Sequence, residues 1–137
     1  LGDVYKRQIL KCIDGAYILI TNDYELQMIM EKTGLDRDAL LNKVSIIITT
    51  LGEYGSRVCI SNRVVEIPPV KIQKAVDPTG AGDSYRSGLI KGLAQKLDII
   101  ECAAMGSACA SFAVEYVGTQ EHHFTVEEFQ KRLASIK

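Results

Sequence analysis

Between residues 74 and 93 the chain reads KAVDPTGAGDSYRSGLIKGL. Two carboxylates, Asp77 and Asp83, bracket a proline, a threonine and the turn Gly80-Ala81-Gly82, and a helical pattern follows directly. A helix beginning here points its first amides out of its N-terminus, unpaired within the helix and at the positive end of the macrodipole. Glycines let a phosphate or another backbone approach without a Cβ in the way. Such a turn is an anion hole. Asp83, in the first turn, is expected to be held ionised by the positive helix end and so to accept a proton at neutral pH. A phosphate on the amides and a carboxylate base beside it make a phosphoryl-transfer pair. The Gly80, Ala81 and Gly82 amides gather charge on the moving group while Asp83 takes the proton of the attacking hydroxyl. The plainer use of the same residues is a tight turn with an aspartate capping a helix. Two other glycine motifs do not fit: no lysine follows Gly82 as a Walker A loop requires, and Tyr85 stands where a dinucleotide fingerprint needs its third glycine.

Two more groups of residues have chemistry open to them. Asn22 and Glu25 lie three apart at a helix start, so an amide oxygen and a carboxylate could jointly hold a hydrated Mg²⁺; Asn22 serves equally well as a plain N-cap. In TTLGEYGSRVC a strand ends at Thr50, and Gly52 and Gly55 form a loop before a hairpin. Ligands in open α/β sheets sit at the carboxyl ends of strands, which suits this loop to a nucleotide, though a glycine-rich hairpin connection accounts for it as well.

The elements that must position these residues alternate. A buried strand is expected at 15–20, a helix from Asn22 to a stop at Gly34, a helical piece at 36–43 and a central β-branched strand in VSIIITTLG. A hairpin flanks Asn62 and ends at Pro68-Pro69. Helices follow at 84–96 and from Asp98 to about Val117, the second rich in small residues, and Thr125 with Glu128 opens a last one with a capping box. This alternation predicts an α/β fold of the doubly wound kind.

Length and composition bound the function. The 137 residues amount to one domain at most, and 47% apolar residues are enough for a core. A net charge of −1 gives no electrostatic basis for nucleic acid or an anionic membrane as partner. No apolar run is long enough to span a bilayer. Cys12, Cys59, Cys102 and Cys109 show neither CxxC pairing nor zinc spacing, which fits a reducing compartment; a cytoplasmic location is the expectation. The opening LGDVYKRQ lacks an initiator Met and any periodicity linking it onward. Residues 1–8 therefore read as a non-native, adapter-derived segment before a domain at 9–137, with a native element entering from missing sequence as the other possibility.

In this order the motifs resemble the ribokinase-like (PfkB) family of carbohydrate and nucleoside kinases, most specifically at DPTGAGDSYRSG, across nearly all of residues 15–130. The resemblance implies a ribokinase-like three-layer α/β/α sandwich, of which this chain is the C-terminal part of a mostly parallel central sheet, with the N-terminal half and lid absent. It implies ATP-dependent phosphorylation of a hydroxymethyl group on a sugar or nucleoside. Asp83 would be the base and Gly80, Ala81 and Gly82 the anion hole. Asn22 and Glu25 would position Mg²⁺, Thr50, Gly52 and Gly55 would contact ATP, and Ala113 would end a helix lining the adenine cleft. Asp77 and Thr79, with the loop near VGTQ, look like the K⁺ site of many members. Arg86 and VGTQEHHFT are more similar to the adenosine-kinase-like branch. The chain would then supply the nucleotide side without the alcohol pocket, and be inactive alone, within a parent that could be a homodimer. A sugar-phosphate kinase of the same family and a non-catalytic nucleotide-binding or regulatory domain are the rival functions.

Three remaining features read as structure. Adjacent His122 and His123 point apart and suit a surface loop rather than a metal site. Cys102 and Cys109 share a helix face and suit burial. Glu127 and Glu128 with Lys131 and Arg132 suit charge pairs on a solvated helix face.

Overall fold

The computed structural model describes residues 2–136. They form two compact units, one from the residues up to Gly52 with Arg57–Val65, the other from Glu53–Ser56 with the residues from Glu66 onward.

The first unit begins with α1 (Gly2–Ile13), which runs without a break from the segment read as adapter-derived into the next residues; Leu1 lies outside the described residues. Gly15, at φ 79°, turns the chain out of this helix, and β1 (Ile18–Asn22) starts three residues later than the sequence suggests. The left-handed conformation that ends a helix is the one glycine adopts without strain, so Gly15 belongs to the helix exit and not to the strand. α2 (Asp23–Thr33) ends at Gly34, φ 71°, as expected. α3 (Arg37–Leu41), capped by the Asp36 side chain, leads into β2 (Ile46–Thr50). β1 and β2 pair in parallel, from Ile18 opposite Ile46 to Asn22 opposite Thr50. Ile46 to Thr49 are all buried, the pattern of a strand covered on both faces. Ile13, Leu26, Leu40, Val44, Ile47 and Cys59 make the core of this unit.

The sheet continues through β3 (Ser56–Ile60) and β4 (Arg63–Ile67), in the order β1-β2-β3-β4. Only Ser61 and Asn62 join β3 to β4, so that pair is the expected hairpin. Five residues separate β2 from β3, too few for a parallel crossover. The mostly parallel sheet anticipated from the sequence is thus represented here by one parallel pair.

The second unit is built on α4 (Ala81–Ala94), α5 (Ile99–Ala113) and α6 (Val126–Ala134). α4 starts three residues earlier than its apolar periodicity indicates, because Gly80 takes φ 83° and its carbonyl already accepts from the Ser84 amide at 2.9 Å. α5 stops short of Val117. The Val114 carbonyl accepts the Val76 and Asp77 amides at 2.7 and 3.2 Å, and the chain from 115 to 116 tightens into i→i−3 bonds.

The small residues of α5 let it approach α4 closely. A Cβ on Gly88 would lie 2.5 Å from the Met105 carbonyl oxygen, one on Gly92 would lie 2.8 Å from Cys102 Sγ, and one on Gly106 would lie 2.9 Å from the Tyr85 ring. Cys102 is fully buried and Cys109 half-buried in this seam, where burial pushes the Cys109 thiol up to about 11. Among the described residues no helix is long and apolar enough to cross a membrane. Gly88→Ala meets backbone and cannot be absorbed by a rotamer change. It should destabilise the second unit by about 1–3 kcal/mol, read as a lower urea midpoint and melting temperature. Ser87→Ala, at the exposed neighbouring position, should leave both nearly unchanged.

Candidate active site

In the first unit, Asn22 and Thr50 are register partners at the carboxyl ends of the two parallel strands. The Asn22 and Glu25 side chains are joined in a reciprocal capping box: Asn22 Oδ1 accepts the Glu25 amide at 2.6 Å, and Glu25 Oε2 accepts the Asn22 amide at 3.0 Å. The pair thus starts α2 and leaves one carboxylate oxygen of Glu25 outside the box. Thr50 Oγ1 reaches the Thr21 carbonyl at 3.5 Å. Beyond it Gly52, φ 58° and with nothing near its Cβ position, opens a single 3₁₀ turn, Gly52–Tyr54.

In the second unit, Gly55 takes φ 89°, and a Cβ there would lie 2.1 Å from the Ile67 carbonyl oxygen, so the residue is required by the fold. Ser56, next along, shares a buried 2.8 Å hydrogen bond with the Tyr85 hydroxyl of α4. Burial raises that phenol to about 12. The contact fixes one face of α4 behind its first turn.

The loop before α4 is tied to the loop after α5. Asp77 Oδ1 accepts the Thr79 amide at 2.9 Å and Oδ2 accepts the Gly118 amide at 2.9 Å, across 41 residues of sequence. The Thr79 side chain, then the Gly118 and Thr79 amides, hold the Asp77 carboxyl below its usual value, against a smaller opposing effect of burial. Gly80 sits under Thr119, whose Cα is 2.9 Å from the place a Cβ would take. Its missing side chain therefore serves the approach of a backbone. Gly82 differs: among the described residues only the Arg86 guanidinium, at 3.8 Å, is near its Cβ position.

With Gly80 as the N-cap, Ala81, Gly82 and Asp83 are the first three helical residues. The Ala81 amide donates to the Pro78 carbonyl at 3.2 Å, whereas the Gly82 and Asp83 amides find no backbone acceptor among the described residues. The Gly80 amide likewise finds none, so of the Gly80-Ala81-Gly82 set expected from sequence only the Ala81 amide is engaged internally, and the Asp83 amide joins the open donors. Asp83 stands in the first turn with its side chain 81% exposed. It is not alone there. Arg86 Nη1 donates to Asp83 Oδ1 at 2.8 Å, a partner that the i,i+3 spacing permits and that weighs against a free base. Ala113, at the end of α5, is fully buried.

Two surface assignments change. His122 is half-buried, with Nε2 3.4 Å from Ser84 Oγ in the first turn of α4 and Nδ1 buried without a partner among the described residues. Arg132 does not lie on a solvated face. It donates to Ser111 Oγ at 2.9 Å, pairs with Glu115, and stands 3.6 Å over the Phe112 ring, while Glu128 caps α6 through the Thr125 amide. No cluster of three His, Cys, Asp or Glu residues able to hold a metal occurs among the described residues.

Residues 1–125 match the family model of the pfkB family carbohydrate kinases. The chain belongs to that family. It is 34% identical over 128 residues to a nucleoside kinase of Methanocaldococcus jannaschii, covering 93% of this chain and 42% of that one. A solved nucleoside kinase structure from the same organism, described as an archaeal member of the ribokinase family, superposes with a TM-score of 0.89 over 95% of this chain and 44% of its own. The nucleoside kinase of Burkholderia thailandensis in complex with inosine is 28% identical with a TM-score of 0.87, over 98% and 43% of the two chains. The fold is therefore ribokinase-like. The chain spans about two fifths of the length of the curated relatives it matches.

The Asp77 tie has a pH signature. A carboxyl whose folded value lies below its ordinary 3.8 stabilises the fold fully above that ordinary value, and loses the contribution as pH falls through the lower folded one. The melting temperature of the native chain should therefore fall more steeply below about pH 4 than that of Asp77→Asn, with the two converging in acid. Parallel curves from pH 6 to pH 3 would show that the tie is energetically silent.

Proposed function

We propose that this chain is the nucleotide-handling and base-bearing part of a longer kinase that transfers the terminal phosphoryl group of ATP to a hydroxymethyl group of a nucleoside. The observation that carries it is the first turn of α4, where two amides without backbone acceptors and the exposed Asp83 carboxylate share one helix end. The alcohol oxygen attacks the terminal phosphorus in line, and the bond from that phosphorus to the bridging oxygen breaks. ADP departs with the bridging oxygen, and the hydroxyl proton passes to Asp83. The Gly82 and Asp83 amides face the charge that develops on the transferred group, in a field reinforced by the helix dipole. Thr50, Gly52 and Gly55 are assigned to the nucleotide. Nucleoside is preferred to sugar because the family relatives described above are nucleoside kinases, one of them solved with inosine; adenosine and inosine are the first substrates to try.

Mg²⁺ would neutralise phosphate charge. Asn22 and Glu25 suit it through water, since each already accepts a backbone amide. K⁺ fits less well. Thr79, Asp77 and the loop after α5 do meet, but both Asp77 oxygens face amide donors, which favours a loop tie over a cation ligand. No step is assigned to it. The ion pair of Asp83 with Arg86 is the one observation that favours a non-catalytic nucleotide-binding domain, since it occupies the base.

Asp83→Asn in the full-length protein separates these readings. Turnover with adenosine, inosine or ribose should drop by roughly 10²–10⁴-fold, with ATP affinity changed little. Near-normal turnover by the variant refutes the base assignment, and a native protein that binds ATP yet phosphorylates none of a broad alcohol panel supports the non-catalytic domain.

A further inference from the structure

The position of Arg86 has a use beyond pairing a surface charge. Its guanidinium donates to Asp83 Oδ1 at 2.8 Å and lies 3.8 Å from the Cβ position of Gly82, so it borders both the carboxylate and the residue whose amide is assigned to the phosphate. Its side chain is 45% exposed, and the Asp83 contact is the one side-chain hydrogen bond found for it among the described residues. An arginine bound only to one oxygen of an exposed carboxylate retains donors directed at solvent, and its planar fork suits phosphate oxygens. Exposed ion pairs are weak, whereas guanidinium–phosphate contacts are charge-assisted and often bidentate. Phosphate arriving at the Gly82 and Asp83 amides therefore competes with the carboxylate for the same guanidinium.

We propose that Arg86 is a nucleotide-sensing residue of the kinase: without nucleotide it holds Asp83, and a terminal phosphoryl group at the start of α4 draws the guanidinium onto itself and releases the carboxylate to the alcohol. The proposal rests on the phosphoryl-transfer reading given above. It assigns Arg86 two effects in one movement. The guanidinium adds positive charge beside the transferred group, and the base is exposed only when there is a phosphoryl group to transfer. An alcohol entering first meets a carboxylate that is already engaged. No other cation is needed on this helix face: Lys91 lies five residues, about one and a half turns, further on, and Ser87, between them, directs its hydroxyl to the Asp83 carbonyl at 2.9 Å.

The test is steady-state kinetics of the full-length kinase with Arg86→Met, Arg86→Lys and Asp83→Asn in parallel, each checked by its melting temperature. Arg86→Met should raise KM for ATP and lower kcat, each by roughly tenfold, while KM for the alcohol stays within about twofold. Arg86→Lys, a point charge without the fork, should restore much of the ATP affinity and less of kcat. Arg86→Met with native parameters, with faster turnover, or with only a lower melting temperature overturns the proposal and leaves a surface ion pair. The Asp83→Asn arm keeps the two ideas apart. An inactive Asp83→Asn beside a native-like Arg86→Met removes the sensing role alone, whereas full activity in Asp83→Asn removes the base and with it the foundation of this inference.

Discussion

The two amide bonds accepted by Asp77 are the interaction on which the candidate site depends. One oxygen closes the short turn at Thr79 and the other reaches Gly118, so a local turn and a distant loop are set by a single carboxylate. That tie brings Thr119 onto Gly80, where only a glycine fits, and Gly80 in its left-handed conformation starts α4. Each later feature follows from where that helix begins. Move the start by one residue and Asp83 turns about 100° around the axis, away from the amides it accompanies.

Around this start the two glycines divide the work. Gly80 admits a neighbouring backbone, and Gly82 leaves space that nothing in the unit fills except the edge of Arg86. Behind the first turn, Tyr85 holds α4 to Ser56 through a buried hydroxyl pair, and Gly88 and Gly92 press it against α5. The exposed end of the helix is therefore carried on its most tightly packed part. Preorganised donors of this kind need little rearrangement when charge develops in front of them.

Local chemistry was the legible part of the sequence. The N-cap at Asn22, the capping box at Thr125–Glu128, the glycine exit at Gly34 and the hairpin around Asn62 each depend on residues within a few positions of one another, and each is present. What escaped depends on partners remote in sequence. Arg132 looks like a solvated i,i+4 charge until α5 brings Phe112, Ser111 and Glu115 beside it. His122 lies in a loop as expected, but it looks fully exposed until Ser84 is placed next to it. The Asp83–Arg86 pair is local in sequence, but an i,i+3 spacing permits a contact without requiring it, and solvent is the competing partner of both exposed groups. The start of α4 escaped for a different reason: apolar periodicity marks the buried face, whereas its first turn, Ala81-Gly82-Asp83-Ser84, carries no large apolar residue to reveal it.

The seam between α4 and α5 also decides where the molecule can be chemically tagged. Cys102 is fully enclosed against Gly92, Cys59 is enclosed in the other unit, and Cys109 is half-covered with a thiol that stays protonated at neutral pH. Cys12, on the outer surface of α1, alone among the four offers an open sulfur. A maleimide fluorophore or spin label added to the unmodified polypeptide would therefore attach at one defined point, without prior removal of the other three thiols.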